Sequence, residues 1–104
     1  MVLYVHKFDV HAGMGKAYAE WVQQVMPQIL SGPGLVEFRA YRPQAGNSQI
    51  AVTYEFADMA SWAAWQSDET MQRLFQESRE FITNVTAEVW GPSPVVPEAI
   101  RPGS

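Results

Sequence analysis

The feature that most narrows what this chain can fold into is its apolar periodicity, which switches twice between the alternation of a strand and the three-and-four spacing of a helix. Residues 2–9 alternate, with Tyr4, His6 and Phe8 on one face and Leu3, Val5 and Lys7 on the other, and end at a turn-like His11-Ala12-Gly13. Over 14–30, Tyr18, Trp21, Val22, Val25, Met26 and Ile29 form the stripe of a core-facing helix. Pro27 lacks a backbone donor and is expected to kink or shorten the last turn, and Ser31-Gly32-Pro33-Gly34 ends the helix. Residues 35–42 and 49–56 alternate again around a Pro43 to Asn47 turn, predicting a hairpin. Asp58 and Asp68 are each placed to cap a helical stretch, the first carrying Trp62 and Trp65. In the second, Met71, Leu74, Phe75, Ser78, Phe81 and Ile82 follow a 3.6 period. Residues 85–90 close the pattern as a fourth strand.

The order β-α-β-β-α-β with right-handed crossovers predicts a ferredoxin-like α+β fold, a four-stranded antiparallel sheet with both helices on one face. A chain of 104 residues has room for one such core. We expect a domain over 1–91 and, because prolines stand at 92, 94, 97 and 102, an extended C-terminal tail over 92–104. The helix-facing side of the sheet collects Tyr4, His6, Phe8, Phe38, Val52, Tyr54, Val85, Ala87 and Val89. The opposite side collects Leu3, Val5, Leu35, Tyr41 and Trp90 among Lys7, Glu37, Arg39 and Glu88. That mixture is too polar for a core and too apolar for open solvent, so it predicts a homodimer formed through the sheet face.

Composition removes several function classes. Net charge is -4 and the seven Lys and Arg are scattered, which argues against a nucleic-acid partner. There is no cysteine, hence no disulfide, thiolate ligand or thiol nucleophile, and the two histidines, His6 and His11, lack ligand spacing, so no metal or cofactor is expected. The apolar start of the chain is shorter than a signal peptide's core, and no apolar run is long enough to span a bilayer. The expectation is a cytoplasmic protein with no membrane partner.

Chemistry can then rest on few residues. His6 is placed to act as general base or to hold a substrate hydroxyl, with a backbone-bonded core histidine as the plain alternative. Tyr54 faces the same side, and its phenol needs a partner if buried. Trp62 and Trp65 can wall a pocket for a flat ligand, with core packing as the alternative for at least one. Asp58 and Asp68 read as caps and His11 as solvated.

His6-Lys7-Phe8 with its following Gly turn, Gly32-Pro33-Gly34-Leu35 entering strand two, and Tyr54-Glu55-Phe56 leading to Trp62 through Asp68 together resemble the antibiotic biosynthesis monooxygenase family. The resemblance covers residues 2–90 and implies a dimeric α+β barrel. It also implies cofactor-independent oxygenation of a small aromatic or polyketide-like ligand; the positions read above make His6 and Tyr54 the candidate catalytic residues and Tyr4, Phe8, Trp62, Trp65 and Phe75 the candidate substrate contacts. In similar haem-degrading proteins a polar residue late in strand one, a helix-two Trp and a later ligating His recur. His6 and Trp65 match the first two, while Phe75 stands at the ligand's place. Two other readings stay open: a non-enzymatic ligand-binding or stress-linked module whose cleft is filled by Tyr4, Phe8, Trp65 and Phe75, and an isomerase or decarboxylase using His6. Whether an open cavity reaches His6 separates them.

Overall fold

A computed structural model describes residues 1–103. Seven elements follow in chain order: β1 (Val2–Val10), α1 (Gly15–Leu30), β2 (Leu35–Tyr41), β3 (Ile50–Phe56), α2 (Met59–Gln66), α3 (Glu69–Ser78) and β4 (Ile82–Trp90). The strands form one antiparallel sheet in the order β2-β3-β1-β4. The fold is therefore ferredoxin-like α+β, with the His6 strand in the middle of the sheet.

The helices pack on the face carrying Tyr4, Phe8, Val52, Tyr54 and Phe56, and Phe56 and Trp65 are the largest fully buried side chains. Aromatic rings of this size bury about 150–250 Å² each, so a few of them supply much of the apolar burial a chain this short can reach. Leu74, Met71, Val25 and Ile29 complete the buried layer from the helical side.

The second crossover is two short helices, as the two expected caps imply, so three helices rather than two lie on the sheet. Asp58 Oδ1 accepts from the Ser61 N–H at 2.8 Å and Asp68 Oδ2 from the Met71 N–H at 3.1 Å, so each short helix has its own N-cap. Phe81 and Ile82 fall outside the second of them. The chain turns at Ser78, whose carbonyl accepts from the Phe81 N–H at 2.9 Å, and Ile82 opens β4. Pro27 does not shorten α1, which runs to Leu30 with the Ser31 N–H donating to the Pro27 carbonyl at 3.2 Å. The carbonyl that proline leaves unbonded belongs to Gln23, an exposed residue.

Both edge strands carry a bulge, and each changes which side chains face the core. In β2 the register shifts between Leu35 and Glu37, so Leu35 packs against the core rather than on the outer face assigned to it by plain alternation. In β4 the pairing passes from Lys7↔Thr86 to Asp9↔Thr83, and Asn84 takes a positive φ of 54° to absorb the extra residue. Ile82 and Val89 can then both reach the core despite opposite parity. Val85 and Ala87 face the helical side as expected, but no helix covers them and Val85 is 49% exposed.

After β4 the described residues 91–103 contain no helix or strand, and Val95 and Ile100 are exposed. Among the described residues no helix is long and apolar enough to cross a membrane.

Candidate functional site

β1 sends Tyr4, His6 and Phe8 upward from the centre of the sheet, β3 adds Val52 and Tyr54, and α3 lies above them with Leu74 and Phe75. The gap between sheet and helices is a cavity of about 570 Å³. It reaches His6, Tyr54, Tyr4, Phe8, Trp65 and Phe75, six of the seven residues singled out from the sequence. These side chains border the cavity and also pack on one another, His6 against Tyr4 and Phe75, and Tyr54 against Trp65. The side along β4 is the open one, because Val85 and Ala87 form a wall that no helix covers.

His6 is 8% exposed and ringed by aromatics, with Tyr4 at 4.4 Å, Phe75 at 5.1 Å and Tyr54 at 5.8 Å between ring centroids. None of the side-chain hydrogen bonds among the described residues involves its imidazole, so the backbone-bonded core histidine is not what is seen. Burial among these rings lowers its pKa from 6.5 to about 4, since a desolvated imidazolium has no counter-charge. At neutral pH the ring is uncharged and keeps a free lone pair.

Tyr54 is buried at the same floor, and its phenol is pushed far above the ordinary range by that burial, with the Tyr18 and Tyr4 phenols adding to the effect. The phenol therefore stays protonated at neutral pH, with its O–H available as a hydrogen-bond donor. Burial also raises Tyr4, which the Gln66 side chain partly offsets, and raises Tyr18. Four ionisable side chains thus converge on the cavity in their neutral forms.

Trp65 is fully buried, touching Tyr54 at 4.8 Å and Phe56 at 5.2 Å, and serves as core and cavity wall together. Its indole lies so close to Gly32 that a Cβ there would stand 2.6 Å from Nε1, which explains a glycine at that position. Trp62 is the residue the structure does not bring to the cavity. It packs edge-on behind Tyr4 at 5.7 Å and acts on the site only by holding that ring.

The sequence reading missed Tyr18 and Trp21, which enter the cavity from α1, and the polar residues Gln66, Gln72 and Gln76. The first two were visible as members of the α1 stripe. The glutamines carry no sequence signal that separates them from solvated helix positions. Ser78 also lines the cavity, but its hydroxyl is engaged by the Phe75 carbonyl at 2.6 Å. His11 and both capping aspartates lie outside the cavity, and among the described residues no three His, Asp or Glu side chains converge.

The family model for antibiotic biosynthesis monooxygenase matches residues 1–77. The chain belongs to the antibiotic biosynthesis monooxygenase family. The matched stretch of this antibiotic biosynthesis monooxygenase family member holds His6, Tyr54, Trp65 and Phe75 and stops before β4. No curated protein matches the chain. Among solved structures, HapK from Hahella chejuensis superposes with a TM-score of 0.75 at 18% identity, covering 99% of this chain and 100% of that one. SnoaB from Streptomyces nogalater, a cofactor-independent oxygenase, gives a TM-score of 0.72 at 14% identity, covering 93% and 97%. A dimeric ferredoxin-like protein of unknown function from Thermobifida fusca gives 0.70 at 13%, covering 86% and 88%. At these identities the likeness is one of fold.

Proposed function

We propose that the cavity binds a flat phenolic or enolic molecule, aromatic or polyketide-like, and oxygenates it without a cofactor. The observation that carries the reading is an open cavity of about 570 Å³, within the ordinary range for small-molecule sites, that ends on a buried neutral imidazole between aromatic rings. Family membership and the fold likeness to SnoaB support it.

The chemistry follows from the protonation states. Neutral His6 takes the proton of the bound hydroxyl as the oxyanion forming beside it supplies the counter-charge that burial denies the imidazolium, and Tyr54 holds that oxyanion by donating to it. The electron-rich phenolate passes one electron to O₂, and the two radicals join as a C–O–O bond on the ring. His6 returns its proton to the peroxide, the ring C–H is lost as the O–O bond breaks, and the products are a quinone and water. One O₂ is consumed per substrate and no outside reductant is needed.

An oxygen electrode tests this with 1-naphthol and 1-anthrol in the presence of a metal chelator. Protein-dependent uptake of one O₂ per quinone formed is the expected result. Saturable quenching of tryptophan fluorescence with no uptake would leave a binding module.

The same reading includes a homodimer through the outer sheet face. Trp90 and Tyr41 are 46% and 44% exposed there beside half-buried Leu3, and Lys7 and Arg39 lie over the two rings at 5.6 and 5.3 Å. The dimeric relative from Thermobifida fusca supports it. Sedimentation at ~10 µM is expected to give twice the chain mass, and Trp90→Glu, which adds a carboxylate next to Glu88, to give the monomer. A native chain sedimenting as a monomer would exclude the dimer.

A further inference from the structure

The charges of the cavity are one-sided. The chain carries eleven Asp and Glu against seven Lys and Arg, yet no carboxylate lines the cavity and a single permanent cation, Arg79, does. Arg79 follows α3 directly and keeps helical backbone angles, with φ -61° and ψ -19°. It is exposed, and among the described residues it takes part in no salt bridge. Of the acids flanking it in the chain, Glu77 is held by Trp21 Nε1 at 3.2 Å and Arg73 Nε at 3.4 Å, and Glu80 does not line the cavity. The helix dipole accounts for a cation at this end of α3, but not for the absence of acids from the rest of the lining.

Spacing then relates Arg79 to the base. Phe75, in contact with the His6 ring at 5.1 Å, precedes Arg79 by one helical turn, so both sit on the same helix face about 6 Å apart along its axis. A ring seated in the cavity against the edges of His6 and Phe75 therefore projects its far substituent toward the guanidinium at the rim.

We propose that Arg79 is a specificity-determining residue and that the ligand is a hydroxylated aromatic bearing a carboxylate opposite the hydroxyl that His6 deprotonates. This rests on the aromatic-cavity reading above. The guanidinium fork pairs with the carboxylate and sets the orientation that brings the hydroxyl to His6, and no carboxylate of the lining competes for that guanidinium.

The test is a titration followed by quenching of tryptophan fluorescence, comparing 6-hydroxy-2-naphthoate with its neutral isostere 6-hydroxy-2-naphthamide. Native protein is expected to favour the carboxylate by about tenfold, less at high salt. Arg79→Gln should bring the two affinities together, Arg79→Lys should keep part of the preference, and Arg73→Gln, on a cation already paired with Glu77, should keep all of it. Equal affinities in the native protein, or a preference that survives Arg79→Gln, would overturn the role of Arg79 and leave the aromatic cavity standing. Failure of both ligands to bind would overturn the cavity reading and this one with it. Should Arg79→Gln not fold, the native carboxylate-to-amide ratio and its salt dependence decide the matter alone.

Discussion

His6→Gln and His6→Ala are expected to lower turnover on a phenolic substrate by about 10²- to 10⁴-fold, the usual cost of losing a general base, while both proteins still fold. The same group dictates two pH profiles. Its folded pKa of about 4 lies below its ordinary 6.5, so folding favours the neutral ring. Stability from this source is complete above pH 6.5 and is lost as pH falls from 6.5 to about 4, by on the order of 3 kcal/mol. His6→Gln should lack that decline. If the native protein turns over a phenol as proposed, the acid limb of kcat/KM should fall near pH 4 rather than near 6.5, since free His6 stays in its basic form until then. Full activity in both variants, or loss of fold in both, would make His6 a structural residue.

The largest expected loss of stability is at Trp65. It is 0% exposed and its ring meets Tyr4, Tyr54, Phe56 and Phe75 at centroid distances of 4.8 to 5.7 Å, so truncation leaves a void that its neighbours cannot fill together. Trp65→Ala is expected to cost about 3–5 kcal/mol, a large share of the total stability of a small domain. In thermal unfolding that is a fall in Tm of roughly 15 °C or more. Trp62→Ala, at a half-buried ring behind Tyr4, should lower Tm by less than half as much. A Trp65→Ala protein melting within a few degrees of the native one would show that the ring is not the centre of the core.

What the sequence made legible is what depends on local pattern. Alternation placed Tyr4, His6 and Phe8 on the buried face of a central strand, and side-chain chemistry placed Asp58 and Asp68 as caps, because both are settled within a few residues. Plain alternation puts Leu35 on the wrong face because a bulge breaks parity without leaving a composition signal of its own. Ile82 was read into a helix for a related reason, since a short apolar run at a helix end fits either period. At the site, the aromatic residues could be found because they belong to stripes. Trp62 could not be separated from Trp65, as both lie on α2, and only the packing of Tyr4 between Trp62 and the cavity tells wall from buttress. The lopsided charge of the lining was invisible for a different reason: it is a property of which residues meet, and the acids left out are distributed along the whole chain.

The bulge at Asn84 makes β4 intolerant of changes in length. Ile82 and Ala87 share the helical side of the sheet only because one extra residue stands between them, and pairing with β1 is fixed on both sides of it. A deletion of one codon there forces one of the two segments to turn over. Either Ile82 is expelled from the core, or Thr86 and Glu88 swing toward a cavity that now holds no acid, in place of Ala87 and Val89. Point substitutions can reshape this wall gradually, but a length change reverses its polarity in a single step, so divergence of the site along β4 must proceed by exchange of side chains at a constant residue count.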